Sequence, residues 1–553
     1  MTPLLRRAHA ARGSRNGEAA QPRLGSLLPP DALLGLDAAI ALLRDAIDQG
    51  RHIVVVGDFD ADGATATAVG VRGLRMLGAK RVSHAVPNRM VHGYGLSPAL
   101  VHELAGLEPE LLVTVDHGIA CHEGIAAARA RGWQVLVTDH HLPGERLPTA
   151  DAIVNPNQPG DGFPSKALAG VGVMFYLLLA LRRAMREDHA FDGAGPDLSV
   201  LLDLVAVGTV ADMVPLDANN RALVAAGLRR LRAGQGCAGL HALVDIAGRH
   251  AATLSAADIG YAIAPRINAA GRLEDMAVGI ECLLSDDPTQ TAEIAGSLDA
   301  INSERRSLQQ AMVDAAEAAL AGLDAVGQGA DAIVHCLHHP DWHPGVVGLV
   351  ASKMKERLHR PVIAFAPADP GSDMLRGSAR SIPGFHIRDA LAAVDARHPG
   401  LIPRFGGHAM AAGLSLPLAS LAAFRDAFHQ VAAETLAPEH LQDVLLSDGE
   451  LAEDEFTRAN AEQLRDGGIW GQAYPEPLFD GRFDVTGWRI VGERHLKLEL
   501  RRGSRRLNAI HFGGWDGHEP PPRVHLAYRL MPDDWRGGDA IQLIVVHRQP
   551  VIA

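Results

Sequence analysis

Four short clusters of acids and histidines stand out, each placed directly after an apolar run. Val54-Val55-Val56-Gly57 leads into Asp58-Phe59-Asp60-Ala61-Asp62-Gly63. Residues 111–115 lead into Asp116-His117-Gly118, and residues 135–137 lead through Thr138 into Asp139-His140-His141. A fourth apolar stretch, residues 202–210, leads into Asp212-Met213-Val214-Pro215. Carboxylates held close together repel, and one of them takes up a proton unless a cation neutralises the group. Asp and His suit Mn²⁺ or Mg²⁺, and two such ions roughly 3.5–4 Å apart can clamp a phosphoryl group during hydrolysis. No cysteine lies among the candidates, which argues against a thiolate zinc site. A lone Asp after a strand ordinarily caps a helix or closes a turn. Asp-x-Asp-x-Asp-Gly alone also suggests a calcium loop, but the downstream Glu of EF-hand spacing is missing. Four clusters in the same position make coincidence the weaker explanation.

The elements that must carry these clusters follow from periodicity. Strand-length apolar runs at 53–56, 82–86, 111–115, 135–138 and 152–154 alternate with Ala-rich segments of helical spacing, such as 64–77 and 123–131. Alternating strands and helices predict a parallel α/β sheet, in which ligands sit at the carboxyl ends of the strands. The stretch 202–210 is likewise read as a strand that delivers its acid to that same edge. The run 167–181 stops at Arg182 and Arg183 and is too short to span a bilayer, so it reads as a buried helix. Residues 287–323, poor in glycine and rich in Ala, Glu, Gln and Leu, read as a long helix joining two domains. A second α/β unit follows at about 330–437, with strands at 332–336 and 361–365 and a helix at 346–357. From residue 445 short strands at 483–485, 489–491, 496–500, 507–510, 524–530 and 541–546 predict a small all-β domain of barrel type. The first 30 residues mix Arg, Gly, Pro and Ala and read as a loose lead-in. The expected division is a loose segment at 1–35, an α/β domain at 36–286, a connecting helix at 287–325, a second α/β domain at 326–440 and a β domain at 441–553.

Composition narrows the function classes. The chain has 553 residues, enough for three or four domains. Its formal net charge is −13, so any nucleic-acid site must be a confined basic patch. Residues 481–550 carry 12 Lys or Arg against 8 Asp or Glu, which makes the β domain the locally basic one. Aromatics are 4% of residues, so a surface built mainly on stacking is not expected. Cys121, Cys237, Cys282 and Cys336 form no CxxC pair, which argues against a zinc ribbon or a disulfide framework and fits a reducing cytoplasm. Arg6, Arg7, Arg12 and Arg15 precede no apolar h-region, so no signal peptide and no membrane association are expected. His335, His338, His339 and His343 crowd one loop, but Asp341 is the one acid beside them, and a second metal site there is not favoured.

The order Asp-x-Asp-x-Asp-Gly, Asp-His-Gly, Asp-His-His and Gly-Thr-Val-Ala-Asp-Met-Val-Pro-Leu resembles the four motifs of the DHH phosphoesterase superfamily, named for the triplet seen here as Asp139-His140-His141. Later segments are similar to its single-strand DNA exonucleases: Pro87-Asn88-Arg89-Met90-Val91-His92-Gly93-Tyr94-Gly95-Leu96, Pro265-Arg266-Ile267-Asn268-Ala269-Ala270-Gly271-Arg272, Trp342-His343-Pro344-Gly345-Val346-Val347-Gly348, Arg376-Gly377-Ser378-Ala379-Arg380-Ser381 and Gly406-Gly407-His408-Ala409-Met410-Ala411-Ala412-Gly413. The likeness covers nearly everything after residue 35. It implies a parallel-sheet DHH domain, a long connecting helix, a DHH-associated α/β domain and a C-terminal OB-like fold. It implies Asp60, Asp62, Asp116, His140 and Asp212 as ligands of Mn²⁺ or Mg²⁺, two ions in all. His141 would contact the substrate phosphate, Asp58 would assist beside the metals, and Asp139 would orient its neighbours.

Arg89 and Arg272 are candidates for substrate phosphates, because the guanidinium fork matches phosphate oxygens; exposed salt bridging is the competing role. Arg266 reads as structural. Ser378, Arg380 and His408 lie in Gly-rich segments that let a backbone approach a phosphodiester. On the resemblance these face the metals across a cleft too narrow for a duplex. Arg494, Lys497, Arg501, Arg502, Arg505 and Arg506 form a basic hairpin that suits a single strand, a solvated face being the alternative. The resemblance implies 5′→3′ hydrolysis of single-stranded DNA to mononucleotides in repair and recombination, by a monomer, with a single-strand-binding protein and a helicase as further partners. Two rival readings are a small-substrate DHH enzyme, acting on short oligonucleotides or cyclic dinucleotides, and a non-catalytic DNA-binding replication scaffold. The β tail opposes the first, and the full set of ligand positions opposes the second.

Overall fold

A computed structural model of the chain describes residues 1–88, 91–325 and 332–551. They fall into two compact units, one of Met1–Gly271, Asp275–Asp299 and Leu445–Ala553, the other of Arg272–Glu274 and Ala300–Val444.

The first unit is built on a five-stranded sheet. In chain order its main elements are α1 (Pro3–Ala11), α2 (Leu36–Asp48), β1 (Ile53–Val56), α3 (Ala61–Met76), β2 (Val82–Ala85), α4 (Pro98–Leu104), β3 (Leu111–Val115), α5 (His122–Ala130), β4 (Gln134–Thr138), β5 (Ala152–Val154), α6 (Gly170–Glu187), α7 (Leu202–Ala211) and α8 (Ala218–Arg232). The strands are all parallel, in the order β2-β1-β3-β4-β5. Val54, Val56, Leu112, Val135 and Val137 pack against α4 and α5 on one face. Ile53, Val55, Leu111, Val113 and Leu136 pack under α2, α3, α6 and α7 on the other. Both faces are dry, which is why these strands read as continuous Val, Ile and Leu runs without alternation. The chain leaves β1 toward β2 and returns to β3 on the opposite side, so the order reverses at β1 and opens a crevice at the carboxyl ends there.

Helices α9 (Ala264–Leu273), α10 (Ala277–Leu284) and α11 (Pro288–Ala325) follow, the last spanning the long helical stretch seen in the sequence. In the second unit come β6 (His335–His338), α12 (Val347–Leu358), β7 (Val362–Pro367), β8 (Met374–Arg380), α13 (Ile387–Arg397), β9 (Arg404–Gly407), β10 (Ala411–Pro417) and α14 (Leu421–Thr435). Its mixed sheet runs β6-β7-β8-β10-β9. Helix α12 covers one face through Val347, Val350, Ala351 and Met354 against Val362, Ala364 and Ala366. Helices α13 and α14 cover the other.

The first unit also contains the barrel, made of α15 (Arg458–Asp466) and strands β11 (Phe479–Val491), β12 (His495–Arg502), β13 (Arg505–His511), β14 (Arg523–Pro532) and β15 (Ile541–Pro550). The strands close in the order β11-β12-β13-β15-β14, leaving no open edge. The runs 483–485 and 489–491, expected as two strands, form the single strand β11, whose pairing shifts at a bulge between Val485 and Gly487. That bulge interrupts the alternation that would have joined them.

Two further expectations fail. Residues 202–210 are not a strand but helix α7, packed among α3, α6 and α8. It is buried on nearly all sides, so it shows no amphipathic period, and a short apolar run of that kind looks the same as a buried strand. Nor is the N-terminus loose. Thr2 caps α1, and Leu4, Leu5 and Ala8 enter a core shared with Phe456, Leu464 and the C-terminal barrel. Arg12 makes a buried ion pair with Asp448 at 2.8 Å. The Leu4–Ala8 spacing places both on one helix face, but one helical turn between Arg-rich flanks carries little signal.

Candidate metal centre

The carboxyl ends of β1, β3 and β4 deliver their acids to the crevice, and α7 adds Asp212 as its C-terminal cap. Asp60 is the N-cap of α3 and accepts from Gly63 N at 3.0 Å. Gly63 must be glycine, since a Cβ there would lie 2.6 Å from the backbone of Asp58. Asp62, one residue into α3, accepts from Gly170 N at 2.6 Å and Val171 N at 2.9 Å, so it caps the first turn of α6. Asp116 sits in the left-handed region with φ 65°, a conformation uncommon for a non-glycine residue, though Asp tolerates it better than most. Asp139 is saturated. It accepts from the backbone N–H of Ile119, His140 and His141 and from the His141 ring at 2.8 Å.

Ligand atoms converge in three overlapping sets, each within 4.8 Å: Asp58, Asp60 and Asp116; Asp62, His140 and Asp212; and Asp116, His140 and His141. The first two share no residue, so the crevice presents two separate triads. His140 Nε2 lies 3.1 Å from Asp116 Oδ1 and 3.5 Å from Asp212 Oδ2. These three buried atoms make no hydrogen bond among the described residues. Burial, with Asp62 and Asp60 next, pushes the Asp116 and Asp212 carboxyls well above the usual range, and burial beside Asp60 takes Asp62 to about 7. Burial and the neighbouring His141 lower His140 to about 4, so its ring is neutral near pH 7. A neutral imidazole and crowded carboxylates that repel one another are a donor set for hard divalent cations, which relieve that repulsion. Mn²⁺ or Mg²⁺ fits these residues, and two triads fit two ions.

His141 behaves oppositely. Burial works against its charge, but the hydrogen bond and the charge of Asp139 raise it to about 9. The ring is therefore an imidazolium near neutral pH, with Nδ1–H committed to Asp139. That is a cation beside the triads, suited to a phosphoryl oxygen.

Sequence reasoning missed several residues that aim these groups. Asn268 Oδ1 accepts from Ala61 N at 2.8 Å and steadies the Asp58–Asp62 loop from α9. Gly271, one turn further, lies where any side chain would strike the Phe59 carbonyl. Asn157 and Asn155 donate to the carbonyls of His140 and His141 at 2.6 and 2.9 Å. Their signal was the Asn155-Pro156-Asn157 turn after β5, which reads as an ordinary loop. His117 donates from Nε2 to Val56 O at 3.1 Å and ties β3 to β1, and Tyr94 meets the His141 ring edge-on at 6.2 Å.

Arg89 lies outside the described residues. Arg266 pairs with Asp299 at 2.7 Å, in keeping with a structural role. Arg272, Ser378, Arg380 and His408 belong to the second unit. Ser378 and Arg380 share one face of β8, and His408 is exposed in the turn between β9 and β10. No ligand set among the described residues includes His335, His338, His339 or His343. In the barrel the basic run is partly consumed: Arg501 pairs with Asp484, Arg502 with Glu450, and Arg505 donates to the Glu453 and Phe456 carbonyls. Arg494, Lys497 and Arg506 make no ion pair among the described residues, and Arg489 lies opposite Lys497 across β11 and β12. Trp488 stacks on Trp515 at 5.5 Å nearby, so the few aromatics are locally concentrated.

Among the described residues no single helix is long and apolar enough to cross a membrane. Three family models match the chain: the DHH family N-terminal domain at residues 52–209, the DHHA1 domain at 329–434 and the RecJ OB domain at 447–547. The chain is 50% identical to the single-stranded-DNA-specific exonuclease RecJ of Dickeya dadantii over 99% of this chain and 96% of that one. It is 47% identical to the protein of the same description from Escherichia coli, over 100% and 96%. Among solved structures it is similar to RecJ of Thermus thermophilus in complex with Mn²⁺, with TM-score 0.81 and 33% identity over 100% of this chain and 76% of that one. The Mg²⁺ complex of that protein matches with TM-score 0.76 and 31% identity, over 100% and 75%.

Proposed function

The chain belongs to the RecJ family of DHH phosphoesterases, and from that premise we propose that it is a single-stranded-DNA-specific exonuclease working by metal-dependent phosphodiester hydrolysis. The observation that carries the chemistry is the pair of separate triads beside His141, whose ring Asp139 holds through a 2.8 Å hydrogen bond. Asp60, Asp62, Asp116, His140 and Asp212 would hold the ions, with Asp58 completing the triad it shares with Asp60 and Asp116. Mn²⁺ or Mg²⁺ held there would supply charge neutralisation and activation of a water for attack on phosphorus. Asp139 keeps the His141 ring oriented and charged. His141 places its free Nε2–H against a non-bridging oxygen of the scissile phosphate, where negative charge grows during attack. Asn268, Asn155 and Asn157 hold the loops that set these distances.

Arg89, Arg272, Ser378, Arg380 and His408 bind the phosphates at the entering end of the strand, and Arg489, Arg494, Lys497 and Arg506 draw in its trailing part. The family likeness supports digestion from the 5′ end with release of mononucleotides, in DNA repair and recombination. A single chain in the cytoplasm is the proposed working unit, with a single-strand-binding protein and a helicase as proposed partners. The β barrel, which the RecJ OB domain model matches, supports long strands over short oligonucleotides or cyclic dinucleotides as substrate.

The test is digestion of end-labelled DNA by metal-stripped protein given Mn²⁺, Mg²⁺ or neither. Single strands should be degraded, duplexes spared and both metals should restore activity. A single strand with its 5′ end closed in a hairpin should resist. Fast digestion of that substrate from its free 3′ end would overturn the polarity.

A further inference from the structure

Arg380 lies half-buried on β8, burial lowers its pKa, and no carboxylate pairs with it among the described residues. Hydroxyls and a carbonyl hold it instead. Nε donates to Ser352 Oγ at 3.1 Å; Nη1 donates to Ser378 Oγ at 3.0 Å and to the Ala379 carbonyl at 2.9 Å. Ser352 stands on α12, one turn after Gly348, so the two share a helix face.

The Ser352 hydroxyl has one proton, and it is spent on the Gly348 carbonyl at 3.0 Å. Toward Arg380 this oxygen can therefore only accept, which is what Nε–H requires. Ser378 has the reverse polarity. Its oxygen accepts from Nη1, and its own proton meets no acceptor among the described residues. Among the described residues Nη2 is the remaining donor group of Arg380 without an acceptor. Both donors flank the same point. A Cβ added to Gly348 would lie 3.0 Å from Arg380 Nη2 and 3.0 Å from Ser378 Oγ. The bare Cα of Gly348 keeps the space between the two donors open.

We propose that Ser352 is a positioning residue that fixes the Arg380 guanidinium so that Nη2 and the Ser378 hydroxyl converge over Gly348 on one terminal phosphate oxygen. The inference rests on the reading of Ser378 and Arg380 as phosphate-binding. Ser352 does not touch the phosphate. It sets the plane of the group that does, and a planar fork binds well only when its plane is fixed beforehand.

The experiment uses the full chain without metal and measures binding of a 5′-phosphorylated and a 5′-hydroxyl single strand of one sequence by fluorescence anisotropy. With Mn²⁺ restored, kcat and KM are measured on the same pair. Ser352→Ala should reduce the preference for the phosphorylated strand about tenfold, the cost of one misaligned charge-assisted contact. The change should fall on binding and KM rather than on kcat. Ser352→Thr, which keeps the hydroxyl, should restore the preference. Gly348→Ala, which fills the point of convergence and favours the helix, should reproduce the loss with Ser352 intact. If Arg380→Ala abolishes the preference while Ser352→Ala and Gly348→Ala keep it, the positioning role is wrong and the phosphate reading stands. If Arg380→Ala itself keeps the preference, the phosphate reading fails and the positioning role fails with it.

Discussion

Gly170→Ala is the substitution whose effect can be worked out most fully. A Cβ at this position would lie 2.5 Å from Asp116 Cβ, 2.6 Å from Asp116 Oδ1 and 2.7 Å from its Cα. Ordinary contact begins at 3.4 Å, so about 0.9 Å must be found. Neither side yields easily. Asp116 ends a buried strand, and Gly170 opens α6, whose first two N–H groups are held by Asp62 at 2.6 and 2.9 Å. If α6 retreats, both charge-assisted bonds lengthen; if Asp116 retreats, it leaves both sets of ligand atoms it joins. Overpacking of this kind costs about 1–3 kcal/mol, and weakened bonds to a charged group add about 1–2 kcal/mol. A loss of about 3 kcal/mol in unfolding free energy is expected from urea titration of metal-free protein. A displacement of about 1 Å at reacting groups can lower turnover about 100-fold, and Mn²⁺ binding by calorimetry should weaken alongside it. Gly170→Ala with wild-type Mn²⁺ affinity and wild-type turnover would refute the claim that α6 and Asp116 are held at this distance for the sake of the metal centre.

Asp60→Ala and Asp212→Ala should each abolish detectable hydrolysis while circular dichroism stays unchanged, because each removes a ligand from a self-repelling cluster; near-normal turnover in either would remove it from the ligand set. Asn268→Ala, which frees the Ala61 N–H, should cut kcat about tenfold with little change in strand binding, read from single-turnover rates. Arg489→Ala with Lys497→Ala should flatten the slope of log K against log salt for long single strands by roughly 1.4, about 0.7 for each phosphate no longer neutralised; an unchanged slope would take these two out of the strand path. His9 is held in the core by Tyr474, Gly467 and the face of Trp470, and burial, then the nearby Arg221 and Arg12 charges, lower its pKa below 6.5 despite the Gly467 bond. Its contribution is complete above pH 6.5 and is lost as pH falls, since the unfolded chain then takes up a proton that folded His9 resists; His9→Phe should flatten the acid side of the urea midpoint profile.

The chemistry was legible because ligand types and their neighbours are local. Asp58 to Asp62, Asp116, Asp139 to His141 and Asp212 declare themselves by residue type and by the apolar runs before them, and the strands of the first sheet begin and end within a residue of expectation. The barrel was legible in the same way, from short alternating runs between Gly and Pro turns, except where the Val485–Gly487 bulge hid the continuity of β11. What tertiary structure decided is everything that depends on a partner far along the chain. Helix α7 was mistaken for a strand because burial on all sides erases the period that distinguishes the two. The N-terminus looked loose because the face of α1 has meaning only against Phe456 and Leu464. Gly170 is an ordinary glycine until α6 is set against β3. Ser352 is one serine among many until α12 lies over β8 and turns its lone pair toward Arg380. Sequence specifies which groups can do chemistry, since that is a property of side chains and their neighbours. Folding decides the spacing and charge state of those groups, since both are set by distances between residues that the chain order leaves far apart.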